Sequence, residues 1–99
     1  MKVEWTDPAV ADLAAVRDYI GRDSWIYANR FVERLIRAVD RLEEFPESGR
    51  QVPESPSPEV REIVHQGYRI IYRILSDKTE ILTVVDGRRD LLPHLEHHG

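Results

Sequence analysis

The stretch VREIVHQGYRIIYRILSDKTEILTVVD, residues 60–86, alternates apolar and polar side chains and is interrupted only near Gly67 and at residues 76–78. Successive side chains of a strand point to opposite faces, so a period of two is typical of β structure. Short interruptions that contain Gly, Ser and Asp are typical of tight turns. The pattern therefore predicts three strands, at about residues 60–66, 68–75 and 79–86, which form an antiparallel meander.

The two faces of the middle predicted strand differ in character. One face carries Tyr68, Ile70, Tyr72 and Ile74, and it is expected to pack on helices. The opposite face is half polar, because Arg69 and Arg73 alternate there with Ile71 and Leu75. In the next strand, residues 81–85 are apolar on both faces, which predicts a central strand with neighbours on both sides.

Upstream of the meander, the sequence predicts a short strand and two helices. Residues 3–6 alternate, and Asp7 followed by Pro8 is a typical helix start with an acidic cap. Leu13, Val16 and Ile20 recur at helical spacing and Gly21 follows them, which predicts a first helix over about residues 7–20. A second helix is expected over about residues 24–44, with a buried seam of Ala28, Phe31, Leu35, Ala38, Leu42 and Phe45.

The elements together predict an α+β domain with the order β-α-α-β-β-β. A small, mostly antiparallel sheet would pack against a two-helix hairpin, as a single domain over residues 1–99. Residues 45–59 are rich in Pro, Gly and Ser and are interpreted as a connector within that domain. The second helix also carries arginines that alternate with acids, which predicts a solvated face of ion pairs formed by Arg30, Arg34, Arg37 and Arg41 with Glu33, Asp40 and Glu44.

Composition excludes several classes of function. The chain has 99 residues, no Cys and a net charge of -4, so disulfides, thiolate metal sites and a dedicated nucleic-acid domain are not expected. No apolar run approaches the length of a membrane span, and we expect a soluble cytoplasmic protein. The glycines are isolated and His65 has no second ligand at suitable spacing, so we expect no small-molecule cofactor and no metal.

Several motifs, in this order and spacing, resemble toxins of the RelE/ParE superfamily. They are VEWT at residues 3–6, Ala11-Asp12-Leu13 with Tyr19-Ile20, FPESGR at 45–50, Arg61, GYRIIYR at 67–73 and VVDGRR at 84–89. The resemblance covers nearly the whole chain and implies a small sheet backed by a helical hairpin. It also implies a cytosolic toxin of a type II toxin-antitoxin module, which forms a hetero-oligomer with its cognate antitoxin.

Members of the superfamily either cut mRNA on the ribosome or poison DNA gyrase, and the residues favour the second activity. RNA cleavage by a 2'-hydroxyl needs a base, cations for the phosphate and an acid for the leaving oxygen. In the RelE-type nucleases that this chain resembles, these groups are a lysine pair, two arginines and a tyrosine in the C-terminal tail. This chain keeps Arg69 and Arg89, but the lysine positions fall on Val60 and Glu62, and the tyrosine position falls on Leu95.

The expected activity is therefore gyrase binding of the ParE type. A ribosome-dependent mRNA endoribonuclease of the RelE type stays open, with Glu62, Arg69, Arg89 and His94 as candidate catalytic residues. An inactive member that only binds its antitoxin is the third possibility. For the gyrase-binding activity we expect a cationic target-binding patch of Arg69, Arg73, Arg88 and Arg89.

Two interpretations of the strand arginines remain open. Arg69 and Arg73 could clamp carboxylates or phosphates of a partner, or their stems could simply cover Ile71 and Leu75. A separate surface is expected at the start of the second helix, because the consecutive residues Trp25, Ile26 and Tyr27 cannot all point inward on a helical period. We expect the antitoxin to bind there.

Overall fold

The computed structural model describes residues 1–88. Two helices, α1 (Asp7–Gly21) and α2 (Trp25–Asp40), pack on one face of a five-stranded sheet. The strands are β1 (Lys2–Trp5), β2 (Arg50–Gln51), β3 (Val60–His65), β4 (Tyr68–Ile74) and β5 (Lys78–Asp86). Their spatial order is β1-β5-β4-β3-β2, with β1 parallel to β5 and all other neighbours antiparallel. The predicted α+β class, helical hairpin and meander are confirmed.

Each helix is preceded by a residue whose side chain caps its first turn. The Thr6 hydroxyl accepts a hydrogen bond from the Ala9 N–H (3.3 Å) and donates one to the carbonyl of Ile81 (2.7 Å). The Ser24 hydroxyl accepts from the Tyr27 N–H (3.2 Å). Asp7 was expected as the cap of α1 but is its first helical residue, because Thr6 satisfies the free N–H and also ties the helix start to the neighbouring strand.

The end of α2 differs from the prediction. The α-helix ends at Asp40 and continues as a single 3-10 turn, Arg41–Glu43, instead of running to residue 44. The tighter turn changes the angle per residue, so the seam predicted from a constant helical period does not continue to its last member. Phe45 is 62% exposed, whereas Val39, which the seam did not include, is fully buried.

The helix face of the sheet holds the main hydrophobic core. Its buried members from β4 and β5 are Ile70, Tyr72, Ile81 and Val84, and they pack with helix residues such as Leu35. The predicted faces of the middle strand are confirmed. Strand β5 lies between β1 and β4, so the prediction that residues 81–85 form a central strand is also confirmed.

The connector between α2 and β3 covers the opposite, outer face. Val52 packs there in a second cluster with Val60, Ile71, Leu82 and Val85. The connector also forms the two-residue strand β2, which the sequence analysis does not predict. The Tyr72 hydroxyl donates to the carbonyl of Pro46 (2.7 Å) and accepts from the Gly49 N–H (2.9 Å). A Cβ at residue 49 would overlap that hydroxyl, so the close approach requires glycine.

The turn between β3 and β4 requires two residues with positive φ. Gln66 has φ 48° and Gly67 has φ +85°, the combination that matches a two-residue hairpin to the twist of its strands. No helix in residues 1–88 is long and apolar enough to cross a membrane.

Candidate functional site

The outer face of the sheet carries a cluster of three charged side chains: Arg69 and Glu62, which are buried, and Glu54, which is partly exposed. The Arg69 guanidinium donates from Nε and Nη2 to the two carboxylate oxygens of Glu62, at 2.7 and 2.6 Å. It also donates from Nη1 and Nη2 to the two carboxylate oxygens of Glu54, at 2.8 and 2.9 Å. One arginine therefore forms two bidentate pairs, which use four of its five N–H donors.

The two carboxylates come from different parts of the chain. Glu62 lies on β3, opposite Ile71 of β4, and its side chain has no exposed surface. Glu54 lies in the connector, and its side chain is 32% exposed. The cluster therefore links the connector to the outer face of two adjacent strands, above the small apolar cluster around Val52.

The ionic contacts shift the pKa values of Glu54 and Arg69. The hydrogen bond from Arg69 lowers the pKa of the Glu54 carboxyl below its ordinary value. The bonds to Glu54 and then to Glu62 raise the pKa of Arg69. Both shifts favour the charged forms, as expected for groups held in short charge-assisted hydrogen bonds.

Glu62, Arg69, Arg89 and His94 were the candidate catalytic residues. Glu62 and Arg69 do lie together, but each uses its polar atoms on the other, and the Glu62 side chain has no surface that a substrate could contact. Arg89 and His94 lie outside the described residues. The described part of the candidate set is an ion pair that belongs to the architecture, not an open acid-base site.

Among residues 1–88, the arginines of the expected cationic patch all contact carboxylates, and they do not form a free positive surface. Arg73 donates to Glu80 (2.8 Å), and Arg88 forms two bonds with Asp86 (3.1 and 2.9 Å). Arg69 is almost completely buried. The side chain of Arg88 is 89% exposed, so it is the most accessible of the three described arginines. The hydrogen bond to Asp86 raises the pKa of Arg88.

The turn before β4 and the end of β5 do come together. The N–H of Gly87 donates to the carbonyl of Gly67 at 2.8 Å. A Cβ at residue 87 would lie 2.8 Å from that carbonyl oxygen and 3.6 Å from Cγ of Arg69. Arg88 follows directly, so the structure brings the Gly-Tyr-Arg turn and the first of the two consecutive arginines to one end of the sheet.

A cleft of about 690 Å³ opens at this end of the sheet, between α1 and β5. Its walls include two aromatic side chains, Tyr19 and Tyr68, and the charged residues Arg22, Asp86 and Arg88. Arg22 lies over the ring of Tyr19, with 5.6 Å between the guanidinium carbon and the ring centroid. Exposed aromatic and arginine side chains are the types that most often anchor protein interfaces.

The start of α2 exposes the predicted apolar residues. Trp25 is 53% exposed, Ile26 is 69% exposed and Tyr27 is 49% exposed. Arg17 of α1 lies over the Trp25 ring at 5.5 Å, and the Tyr27 hydroxyl is 3.3 Å from Gln66 Oε1. The prediction that this segment presents apolar surface is confirmed, whereas antitoxin binding there stays a prediction.

The sequence predicts a hydrogen-bonded or surface position for His65, and the residue is partly exposed on β3. Its Nε2 is buried and has no hydrogen-bond partner in residues 1–88. Its ring packs against Phe31, with 5.5 Å between centroids. Burial, followed by the positive charges of Arg34 and Arg41, lowers the pKa of His65. Within the described range, no group of three or more potential ligands could hold a metal ion.

Sequence reasoning missed Glu54. This residue lies in the proline-rich connector, 15 positions before Arg69, and no local pattern relates the two. One feature of the sequence could have indicated such a partner. Two arginines lie on the outer face of β4, and an arginine that is covered by other residues normally pairs with a carboxylate. Only the path of the connector determines that Glu54 is this partner.

The sequence of this chain is similar to those of known toxins. The family model of the ParE toxin of the type II toxin-antitoxin system parDE matches residues 3–91. Toxin RelE2 of Caulobacter vibrioides is 53% identical over 49 residues, which are 50% of this chain and 56% of that protein. The match thus spans only about half the length of RelE2. The candidate toxin Y4kP of Sinorhizobium fredii is 40% identical over 86 residues, 85% of each chain.

Two solved structures share the fold. A chain of the chromosomal ParDE system from P. aeruginosa superposes with a TM-score of 0.73 at 26% identity, and the match covers 87% of this chain and 95% of that one. A chain of the RelBE2 toxin-antitoxin complex from Mycobacterium tuberculosis gives 0.61 at 20% identity, over 86% and 95%. With the family model over most of the sequence and Y4kP at 40% identity, the chain belongs to the ParE toxin family of type II toxin-antitoxin systems, within the RelE/ParE superfamily.

Proposed function

We propose that this toxin arrests growth by binding a protein target, DNA gyrase, and not by cutting RNA. The observation that supports the proposal most strongly is the state of Glu62. It is the candidate base nearest to the Arg69 side chain, yet it is buried and held by both of its oxygens. A base must reach the proton that it removes, and here both carboxylate oxygens accept from Arg69, with Arg50 at 3.5 Å from one of them.

The state of Arg69 supports the same conclusion. Cations that stabilise a developing phosphate charge need free donors directed at the position of the phosphate. The donors of Arg69 are directed at two carboxylates instead. A phosphate approaching this face would meet the negative charge of Glu54 at the partly exposed edge of the cluster.

We assign target binding to the end of the sheet where Arg88 lies, together with Arg89, the next residue in the sequence. Arg88 projects into solvent beside the cleft lined by Tyr19 and Tyr68. Arg73 is a secondary contributor, because its guanidinium is partly exposed and already pairs with Glu80. Arg69 acts there only as a positioning residue, since it supports the strand that leads to this end.

The proposed partner that neutralises the toxin is a cognate antitoxin, which binds the apolar surface of Trp25, Ile26 and Tyr27. The two solved relatives come from toxin-antitoxin systems, which supports a partner of this kind. The exposed apolar side chains at the start of α2 would gain stability from burial against another chain.

The second candidate function is a ribosome-dependent endoribonuclease. The observation that favours it is the match to toxin RelE2, which is 53% identical over half of this chain. In that case Glu62 would have to leave Arg69 before it could act as a base.

The test measures both activities of the purified chain. We expect it to block supercoiling by DNA gyrase and to leave mRNA intact in a translating extract. A double variant, Arg88→Ala with Arg89→Ala, should lose the block while keeping its melting temperature. The matched control, Arg30→Ala with Arg37→Ala, removes two exposed arginines from α2 and should retain the block.

Three results would overturn the proposal. Cut message with unaffected gyrase would identify an endoribonuclease. The absence of both effects, together with antitoxin binding, would identify an inactive member. Full inhibition by the double variant would remove the assignment of the target surface to Arg88 and Arg89.

The antitoxin surface has its own test. Trp25→Ala or Ile26→Ala should weaken antitoxin binding more than it lowers the melting temperature of the toxin alone, because both side chains are exposed in the free chain. Titration calorimetry of purified partners measures the affinity. Unchanged affinity in both variants would place the antitoxin elsewhere.

A further inference from the structure

Helix α2 runs alongside strand β3, and three contacts define their relation. The Tyr27 hydroxyl lies 3.3 Å from Gln66, the Phe31 ring packs on His65, and Ala38 shares a cleft with Ile63. Arg34 and Arg41 lie on the same side of the helix as Tyr27 and Ala38, because residues spaced by three, four and seven share a face. Both charges act on His65, whose pKa they help to lower.

These helix arginines have no carboxylate partner among the described residues. The sequence predicted ion pairs for Arg30, Arg34, Arg37 and Arg41, but none of them lies within 4.0 Å of an acidic oxygen in residues 1–88. That prediction is wrong. Arg69, Arg73 and Arg88, by contrast, each contact a carboxylate.

A cleft of about 620 Å³ lies between the end of α2 and β3. Arg41 and Arg50 stand at its walls, together with the exposed apolar side chains of Phe45 and Val64. Arg50 makes only one long contact, 3.5 Å to Glu62, and its side chain is 66% exposed. The cleft therefore combines accessible positive charge with accessible apolar surface.

One wall of this cleft is an open strand edge. Strand β2 pairs only with Arg61 and Glu62, and the Val52 N–H donates to the Val60 carbonyl at 3.2 Å. Main-chain groups alternate sides along an antiparallel ladder, so Val64 directs its N–H and C=O to the same edge as Val60. No described strand lies opposite Val64, since β2 begins at Arg50. An open edge of this kind is a template for an added strand.

We propose that this cleft binds an extended, acidic polypeptide segment of a partner protein, which adds a strand at Val64 and directs carboxylates to Arg34, Arg41 and Arg50. The open edge offers main-chain hydrogen bonds, and Phe45 and Val64 can pack against alternate apolar side chains of the segment. The unpaired arginines select acidic residues at the positions between them. The inference goes beyond the proposed function, because it holds whatever the toxin's cellular target is.

A polypeptide fits these features better than a nucleic acid. Single-stranded nucleic acid would use the arginines but not the strand edge, and a chain with a net charge of -4 repels a long polyanion. A short segment that alternates carboxylates with apolar side chains uses the arginines, the apolar walls and the main-chain groups together.

The first test uses a fluorescent synthetic peptide of alternating glutamate and valine, with binding to the full chain followed by anisotropy. Arg41→Glu and Arg34→Glu should each weaken binding at least about tenfold, and the control Arg37→Glu less than about twofold. The control makes the same change of charge on the same helix, at an exposed arginine that neither lines the cleft nor acts on His65 in its wall, whereas Arg41 lines the cleft and both Arg34 and Arg41 act on His65. Equal weakening by all three variants would overturn the proposed location.

The second test addresses strand addition. Val64→Pro removes the outward N–H, and proline is tolerated at a strand edge whose N–H faces solvent. Binding should be lost in Val64→Pro and kept in Val64→Ala, with both folds checked by circular dichroism. If Val64→Pro fails to fold, the peptide methylated on its central backbone nitrogens replaces it, and it should not bind the wild-type chain.

Either of two results would overturn the proposal. In the first, the N-methylated peptide binds as well as the unmodified one, which would mean that no strand is added. In the second, a single-stranded RNA oligonucleotide binds more tightly than the peptide and depends on Arg34 and Arg41, which would make this surface a nucleic-acid site.

Discussion

The two faces of the sheet are covered by different kinds of side-chain contact. Under the helices, the covered surface is almost entirely apolar, and Tyr72 supplies its hydroxyl to the connector. On the outer face, a small apolar cluster adjoins the buried charges of Arg69 and Glu62 and the partly exposed carboxylate of Glu54. The difference is that Arg69, the arginine most suggestive of function in the sequence, bonds two carboxylates of the fold, whereas the arginines of α2 contact no carboxylate among residues 1–88.

The largest effect is expected on the outer face, from Arg69→Ala. This change removes both bidentate pairs and leaves the buried Glu62 carboxylate without its cation. We expect a loss of about 3–5 kcal/mol in the free energy of unfolding, measured by urea denaturation. The control Arg37→Ala removes an exposed arginine and should change stability by less than about 0.5 kcal/mol. A loss below about 1 kcal/mol in Arg69→Ala would contradict the structural role.

A smaller effect is expected on the helix face, from Tyr72→Phe. The change deletes one hydroxyl and leaves the Gly49 N–H and the Pro46 carbonyl without their partner. The expected cost is about 2 kcal/mol by thermal and urea unfolding. Tyr27→Phe is the matched control, because its hydroxyl makes one exposed contact of 3.3 Å and should matter little. Equal effects of the two changes would mean that the buried hydroxyl does not anchor the connector.

A third prediction separates charge from shape at Glu54. The Glu54→Gln variant should lose about 1 kcal/mol at pH 7, since it keeps the side-chain size but not the ion pair. The folded-state pKa of Glu54 is lowered by Arg69, so its contribution is complete above the unfolded value of about 4.3 and is lost as the pH falls through the folded value. Urea titrations at neutral and strongly acidic pH should show the difference shrinking to zero. A difference that persists in acid would exclude an ionic cause.

The smallest effect is expected at His65, between α2 and β3. Its folded pKa is lowered by burial and by Arg34 and Arg41, so the neutral form stabilises the fold above the unfolded value of about 6.5. That stability should be lost as the pH falls from there toward the folded value. His65→Gln should abolish the dependence in melts recorded across this window. An unchanged slope in the variant would assign the effect to another group.

The outcome for the fold shows which sequence patterns are reliable. Alternation along β4 correctly separated Ile70 and Tyr72 from Arg69, because a strand has only two faces. The doubly apolar residues 81–85 correctly indicated a central strand. The position of Phe45 was predicted wrongly, because a single 3-10 turn after Asp40 changes the phase of the helix and no local pattern announces that turn.

The candidate site was harder to predict than the fold, because most of its contacts join residues that are distant in sequence. Exposure of Trp25, Ile26 and Tyr27 followed from helical geometry alone and was confirmed. The partners of Arg69 were not predictable, because Glu54 reaches it only through the path of an irregular connector. The helix arginines were expected to pair with nearby acids, yet helical spacing permits such pairs without requiring them. In each case the missing information is tertiary.

The structural role of Glu62 and Arg69 is tested most directly by replacing this buried ion pair with apolar residues of similar volume, Glu62→Met with Arg69→Met. The measurement is growth arrest. Such a replacement of a buried ion pair is often neutral or stabilising, so the fold should survive. At equal levels of folded protein, we predict the same arrest as the wild-type toxin, because these charges support the structure and take no part in chemistry. A folded double variant without toxicity would contradict the account and return Glu62 and Arg69 to the functional site.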